Sequence, residues 1–279
     1  MAYRENFIQI IREACAELGI SVETYSNDWA FRLEKDGKIR YIVGYHFPLN
    51  LSSGKELCQD KCLTYSALSA AGIPAVPHLF VPVFKAAANE GLEALRPTME
   101  KWIADTGYVV VKDNYGTGGN QVYRLSTMEE AEEAIQKVFQ KSYAASVSPF
   151  FTIKEEYRVT MLDGESLQVI RKERKSAVNE KGEKVYLDWR HNLGLGATGI
   201  LVEDAEKIQA VEPIAIQVMK AMNLRFASVD VVETKEGFFV LEVNAGVMME
   251  HFAGQSPECY EKAKAIYKKA IKKSMEDEL

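Results

Sequence analysis

The sequence predicts an α/β protein, and three observations carry that expectation. Apolar residues recur at helical spacing in three places: Phe7, Ile8, Ile11, Ala14, Cys15 and Leu18; Ala131, Ala134, Ile135, Val138 and Phe139; and Ala263, Ile266, Tyr267, Ala270 and Ile271. Short β-branched and aromatic runs, such as 108–111 and 226–233, lie between them. Some of these runs are separated by turn sequences that suit hairpins, Lys35-Asp36-Gly37-Lys38 and Lys235-Glu236-Gly237 among them.

The 279 residues, 47% hydrophobic and 27% charged, describe a soluble chain with core for more than one subdomain. A net charge of −6 with scattered Lys and Arg provides no basic surface for nucleic acid. No apolar run reaches the length of a membrane span, and the N-terminus lacks a signal-peptide pattern, so a cytoplasmic protein without a membrane partner is expected. Cys58 and Cys62 stand one helical turn apart, but neither Cys15 nor Cys259 nor a nearby histidine completes a zinc set. Free, buried thiols are the expectation.

Taken in order, a helix over residues 4–18 stops at Gly19. Strand-like runs at 20–25, 29–33 and 39–45 complete a small N-terminal α/β unit, residues 1–54, which is short for a domain and leans on the remainder of the chain. A polar link from Asn50 leads to a helix containing Cys58, Lys61 and Cys62 and ending at Gly72, where Pro74 and Pro77 impose an extended exit. Residues 89–105 read as helical, with a break or start at Pro97. Thr127-Met128-Glu129-Glu130 fits a capping box opening a helix to about residue 141. A Ser/Pro link, strands at 150–153, 156–162 and 166–171, and a polar loop at 172–184 come next. Residues 185–189 lead into Arg190-His191-Asn192-Leu193-Gly194-Leu195-Gly196. A helix over 205–223 contains Pro213, strands at 226–233 and 238–243 succeed it, and Ser256 with Pro257 opens the last helix.

Two stretches carry chemistry. In Tyr108-Val109-Val110-Val111-Lys112-Asp113-Asn114-Tyr115-Gly116-Thr117-Gly118-Gly119, a β-type run ends on a lysine and a glycine-rich turn comes after it. Glycines let backbone N–H groups approach phosphate oxygens, and the lysine supplies a point charge for them. A Walker A loop puts its lysine after the glycines, so this is a different arrangement. On this stretch alone an ordinary structural hairpin fits equally well. The second stretch is the pair of late strands, where Asp230 and Glu242 interrupt apolar runs. A carboxylate there is costly to bury unless a cation or donor satisfies it. Glu242 and Asn244, two apart, point to one face, and Asp230 on the neighbouring strand can join them in an oxygen set that suits Mg²⁺, with Mn²⁺ as a substitute.

In that order and spacing the chain resembles the ATP-grasp superfamily over roughly residues 55–255. The resemblance rests on Asp60-Lys61 with its helix and Ala71-Gly72-Ile73-Pro74, on Lys112 with its glycine loop, on Glu156-Tyr157-Arg158, and on Asp230 with Glu242-Val243-Asn244. Asp188-Trp189-Arg190-His191-Asn192 draws it toward the branch containing ribosomal-protein S6 glutamate ligase and cyanophycin synthetase. The resemblance implies an ATP-grasp domain over 55–279, with a lid subdomain at about 83–147 and a metal-binding subdomain at about 148–279 gripping ATP.

By the same resemblance Lys61 and Lys112 contact phosphates, and Gly116, Thr117, Gly118 and Gly119 form the lid turn. The backbone near Phe151 and Ile153 meets adenine, and Glu156 binds the ribose. Asp230, Glu242 and Asn244 hold Mg²⁺, while Arg158, Arg171, Arg190 and Asn192 face the γ-phosphate and the acceptor. The implied activity is an ATP-dependent carboxylate–amine ligase working through an acylphosphate on a small-molecule, amino-acid or peptide acceptor. Its alternatives are a phosphotransferase and a non-catalytic nucleotide-binding protein, and the class admits a homodimer. Asp113 stands where a proline is common, Ala245-Gly246-Val247 replaces the usual Ser-Pro-Gly, and Ser228 stands where D-alanine ligases carry an arginine. A differently shaped lid and acceptor pocket are therefore expected.

Overall fold

The computed structural model describes residues 4–83, 90–178 and 184–277. The chain divides into two compact units, residues 1–55, 158–229 and 244–279 in the first and residues 56–157 and 230–243 in the second. No described helix is long and apolar enough to cross a membrane.

In the first unit, helix α1 (Glu5–Leu18) buries Phe7, Ile10, Ile11, Ala14 and Cys15 and ends at Gly19, whose left-handed backbone returns its N–H to the last turn. Strands β1 (Ser21–Tyr25), β2 (Ala30–Lys35) and β3 (Lys38–Val43) form an antiparallel meander. Its second turn needs positive φ at Asp36 and Gly37, which the Asp-Gly pair accommodates. This N-terminal segment packs against later parts of the chain. Phe7, Phe31 and Phe47 share a core with Leu162, Ile170, Phe226, Tyr267 and Ile271, so its apolar face is covered by residues from the far end of the chain. The closing helix supplies much of that cover, with Ser256 accepting from the Cys259 N–H and Pro257 in the first turn, as the sequence indicates.

In the second unit, α2 (Ser52–Gln59) and α3 (Lys61–Ala70) meet at Asp60, the N-cap of α3, so the expected single helix is two and begins in the supposed polar link. Strand β4 (Leu79–Pro82) comes next, then α4 (Glu90–Glu93) and α5 (Arg96–Thr106), with Pro97 in the first turn of α5. Strands β5 (Val109–Asp113) and β6 (Val122–Leu125) flank the glycine turn. Helix α6 (Met128–Phe139) starts on the capping box, where the Thr127 hydroxyl accepts from the Glu130 N–H at 3.2 Å.

The expected Ser/Pro link is strand β7 (Ala144–Pro149), every residue of it buried. It pairs antiparallel with β4 and β5 in a sheet ordered β4-β7-β5-β6. Small side chains there fit beneath Met99, Ala131, Ile135 and Val138 of the covering helices. Residues 150–153, expected as a strand, are loop instead.

Strands β8 (Glu155–Leu162) and β9 (Glu165–Glu173) lead to β10 (Ser176–Val178) and β11 (Lys184–Tyr186), a small antiparallel pair inside the expected polar loop. Residues 179–183 of that loop lie outside the described ones. Strand β12 (Thr198–Leu201) has no signal in the sequence pattern; it pairs antiparallel with β9. Helix α7 (Ala205–Ala221) tolerates Pro213 in its interior. Strands β13 (Phe226–Thr234) and β14 (Gly237–Asn244) complete a sheet ordered β12-β9-β8-β13-β14. Helices α8 (Glu250–Ala253) and α9 (Pro257–Glu276) end the chain.

Candidate active site

Lys112 owes its position to β5. Val109, Val110 and Val111 are buried, and the register sets Lys112 opposite Ser146 of β7 and Val122 of β6. Burial pushes the ammonium pKa down to about 8, and the charge of Lys61 pushes the same way, while Glu242 and Glu156 oppose both. Lys61, the first residue of α3, donates from its ammonium to the Gly116 carbonyl at 2.6 Å and the Asn114 carbonyl at 3.3 Å. Two lysines from separate elements thus act on one point, with Glu156 and Glu242 close enough to feel it. Such a concentration of positive charge suits a polyanion.

Asn114 carries no role in the sequence reading. It is fully buried, and its side-chain oxygen accepts from the Cys62 N–H at 3.2 Å, helping to cap α3. The available signal was an asparagine two positions after a strand-borne lysine. Its partner lies 52 positions upstream, which the sequence does not reveal.

The adjoining turn is built on Asp113. Its carboxylate accepts from the Tyr115 N–H at 2.9 Å and the Ser142 hydroxyl at 2.6 Å, and its carbonyl accepts from Gly116 at 3.2 Å. A Cβ added at Gly116 would come within 2.8 Å of the Asp113 Cβ. Gly118 and Gly119 hold positive φ, and Thr117 is exposed. Gly116→Ala is therefore expected to displace the turn and weaken nucleotide binding with little change in melting temperature. Calorimetric titration with ADP beside a thermal melt checks this; an unaltered ADP affinity would count against the turn.

Glu156 of β8 is 4% exposed. The Phe151 ring packs 5.3 Å from Phe239, and Ile153 is half-buried. A shallow cleft is lined by Cys58, Lys61, Tyr65, His78, Val240 and Glu242. His78, not singled out from the sequence, has its Nδ1 2.8 Å from the Val76 carbonyl, so that nitrogen carries the proton. Burial, reinforced by Lys112 and Lys61, holds its pKa well below the ordinary histidine range, so the ring is neutral. Cys62 offers no nucleophile, because burial raises its thiol to about 12.

Among the proposed metal ligands, Asp230 is 1% exposed within a strand whose neighbours Val229, Val231 and Val232 are fully buried. Glu242 and Asn244 stand two apart on β14, beside β13 in the sheet. The buried amide nitrogen of Asn244 has no partner among the described residues. Nitrogen and oxygen of an amide exchange by a flip, so the same end can present an oxygen to a cation. Carboxylate and amide oxygens are the donor types that a hard divalent ion takes. Among the described residues no group of three or more His, Cys, Asp or Glu gathers to hold a metal ion, here or elsewhere, so Asp230 and Glu242 are joined by an amide and not by a third carboxylate.

The remaining candidates belong to the first unit. Arg190 is gripped by Asp188, whose carboxylate accepts from its backbone N–H at 2.9 Å, from Nε at 3.0 Å and from Nη2 at 2.7 Å. That hydrogen bonding lowers the Asp188 pKa and raises that of Arg190. The Asn192 side chain accepts from the Gly194 N–H at 2.7 Å and opens a short 3₁₀ turn, Leu193–Leu195. Arg171 lies 4.0 Å from Glu173, and Arg158 is half-buried on β8. His191 is buried, with Nδ1 3.0 Å from the Lys172 carbonyl.

A strand-borne lysine before a glycine hairpin, an N-terminal helix lysine beside it, and carboxylates on a paired late hairpin define an ATP-grasp fold. The chain belongs to the RimK-like ATP-grasp domain family, whose model matches residues 59–257. It is similar to the tetrahydromethanopterin:alpha-L-glutamate ligase of Methanocaldococcus jannaschii, 23% identical over 217 residues that cover 74% of this chain. The match spans 65% of that relative's length. In fold it is similar to the D-alanine–D-alanine ligase of Bacillus anthracis, with a TM-score of 0.60 at 18% identity, covering 80% of this chain and 69% of that one. It is also similar to a bifunctional glutathione synthetase of Pasteurella multocida, with a TM-score of 0.57 at 16% identity, covering 94% of this chain and 44% of that one.

Proposed function

We propose that this chain is an ATP- and Mg²⁺-dependent carboxylate–amine ligase. A substrate carboxylate attacks the γ-phosphate to give an acylphosphate and ADP, and an amine then displaces phosphate to leave an amide. The observation that carries this reading is the pair Lys61 and Lys112, like charges held at the mouth of a glycine turn and exerting their fields on each other. Proteins seldom bring two cations together without an anion to receive, and ADP or ATP supplies one. Lys61 and Lys112 bind and orient phosphates, Glu156 accepts from the ribose hydroxyls, and Phe151 and Ile153 line the adenine side. Asp230, Glu242 and Asn244 hold Mg²⁺, which neutralises phosphate charge when bound.

Arg158, Arg171 and Arg190 suit an anionic substrate, because a guanidinium pairs a carboxylate through two hydrogen bonds. L-glutamate, named for the similar ligase of Methanocaldococcus jannaschii, is the first amine to screen. Phosphoryl transfer needs no nucleophilic side chain from the protein, in keeping with the inert Cys62 thiol and the neutral His78. The test is ADP release across pairs of carboxylates and amines, with hydroxylamine as a trap. A ligase gives ADP release dependent on the carboxylate and a hydroxamate from the acylphosphate. ADP release with a stable phosphate ester and no hydroxamate makes the chain a phosphotransferase. No ADP release over the whole panel leaves nucleotide binding without catalysis, and either outcome overturns the ligase.

A further inference from the structure

The clasp joining the glycine turn to helix α3 has no task in the chemistry of acylphosphate formation or amide release. The Lys61 N–H and the Lys61 ammonium each donate to the Asn114 carbonyl at 3.3 Å. The Cys62 N–H donates to Asn114 Oδ1 at 3.2 Å, and the Lys61 ammonium also reaches the Gly116 carbonyl at 2.6 Å. Asn114 is itself fixed, since its N–H donates to the Ala144 carbonyl of β7 at 3.1 Å. Asp60 completes the cap, accepting from the Leu63 N–H at 2.8 Å. The first N–H groups of α3 are thus consumed by the turn and by Asp60, and none is left over for a ligand of its own.

Resting on the proposed nucleotide site, we propose that Asn114 is a positioning residue that fixes Lys61 beside Lys112, and that Lys61 holds the glycine turn by its carbonyls until phosphate oxygens take its ammonium. Two lysines repel, and the pKa of Lys112 is lowered partly on that account. Something must hold them together before an anion arrives, and the hydrogen bonds of Asn114 are the restraint on Lys61. The carbonyls of Asn114 and Gly116 are neutral acceptors. A phosphate oxygen is charged, and charge-assisted hydrogen bonds are roughly twice as strong as neutral ones. Nucleotide therefore wins the ammonium from the turn. Losing that tether frees a segment in which Gly118 and Gly119 already occupy positive φ, conformations from which glycine moves at low cost.

The test is calorimetric binding of ADP in the presence of Mg²⁺. Asn114→Ala is expected to weaken ADP by about tenfold, the equivalent of one hydrogen bond lost from the arrangement. Asn114→Asp keeps an oxygen for the Cys62 N–H and is expected to bind ADP more tightly than the alanine variant. Because Asn114 is buried, a control for loosened packing is needed. Val138→Ala, in the core of the same unit and fully buried, removes stability without touching the clasp and should bind ADP as wild type does. If Asn114→Ala binds ADP as tightly as wild type, or Val138→Ala loses as much affinity as Asn114→Ala, the positioning role is overturned and the nucleotide site stands. If the wild-type chain binds no ADP, it is the nucleotide site that falls.

Discussion

Lys112→Met is expected to abolish ADP and ATP binding while raising the melting temperature. The two effects have one cause. The Lys112 pKa is lowered from 10.5 to about 8, first by burial and then by Lys61. Below about pH 8 the lysine is charged in both folded and unfolded chains, and the folded state bears the full cost of a poorly solvated cation. Between about 8 and 10.5 the folded state binds fewer protons than the unfolded one, so this residue's penalty shrinks as pH rises. The shift corresponds to about 3 kcal/mol, and partial exposure of the side chain brings the expected gain nearer to about 1–2 kcal/mol. Methionine keeps an unbranched shape and removes the charge. In the wild type, ADP affinity should decline as the pH passes above about 8 and the ammonium is lost. Thermal melts of both proteins at neutral pH, with ADP titrations from neutral to alkaline pH, measure these effects. A variant that melts lower and still binds ADP would contradict both the burial and the role.

What the sequence disclosed about this site depends on how local each interaction is. The Lys112 hairpin was legible because a β-branched run, a lysine and three glycines sit within a dozen positions, and strand register then fixes where the lysine points. Helix α6 was legible through Thr127 and Glu130, three residues apart, and α9 through Ser256 and Pro257. Strand β7 was hidden because Ala144, Ala145, Ser146 and Ser148 have low strand preference, and its place between β4 and β5 is decided by helices that leave room only for small side chains. Asn114 was hidden because its value lies in capping a helix reached only through tertiary structure. The N-terminal segment's union with α9 was hidden for the same reason: Phe7 and Tyr267 meet edge to face at 5.0 Å from opposite ends of the chain. The tie between Arg190 and Asp188, by contrast, spans two residues and is local enough for the sequence to suggest.

Glu250→Ala is expected to give a large loss of stability from a single change outside the nucleotide site. Helix α1 begins after Arg4, whose left-handed backbone provides no side-chain cap. Its first N–H groups are satisfied instead by Glu250, 7% exposed, which accepts from the Asn6 N–H at 3.0 Å, the Asn6 amide at 3.0 Å and the Phe7 N–H at 2.9 Å. A carboxylate at a helix N-terminus also meets the positive end of the macrodipole. Alanine would leave the Phe7 N–H without its partner in a 1% exposed residue, at about 2–4 kcal/mol for the lost cap and the buried donor together. For a chain of this size that is a fall in melting temperature of about 5–10 °C. Glu250→Gln keeps one acceptor oxygen and should fall between the two. The loss should also reach the chain just before Glu250. There the Tyr267 hydroxyl donates to the Val247 carbonyl and accepts from the Met249 N–H, both at 2.9 Å, so the segment after Asn244 is held from one side by α9 and from the other by the contact of Glu250 with α1. Releasing one of these restraints should speed amide exchange over residues 245–250 as well as over the first turn of α1. A Glu250→Ala protein with wild-type melting and unchanged exchange in both segments would show that α1 needs no cap from this carboxylate.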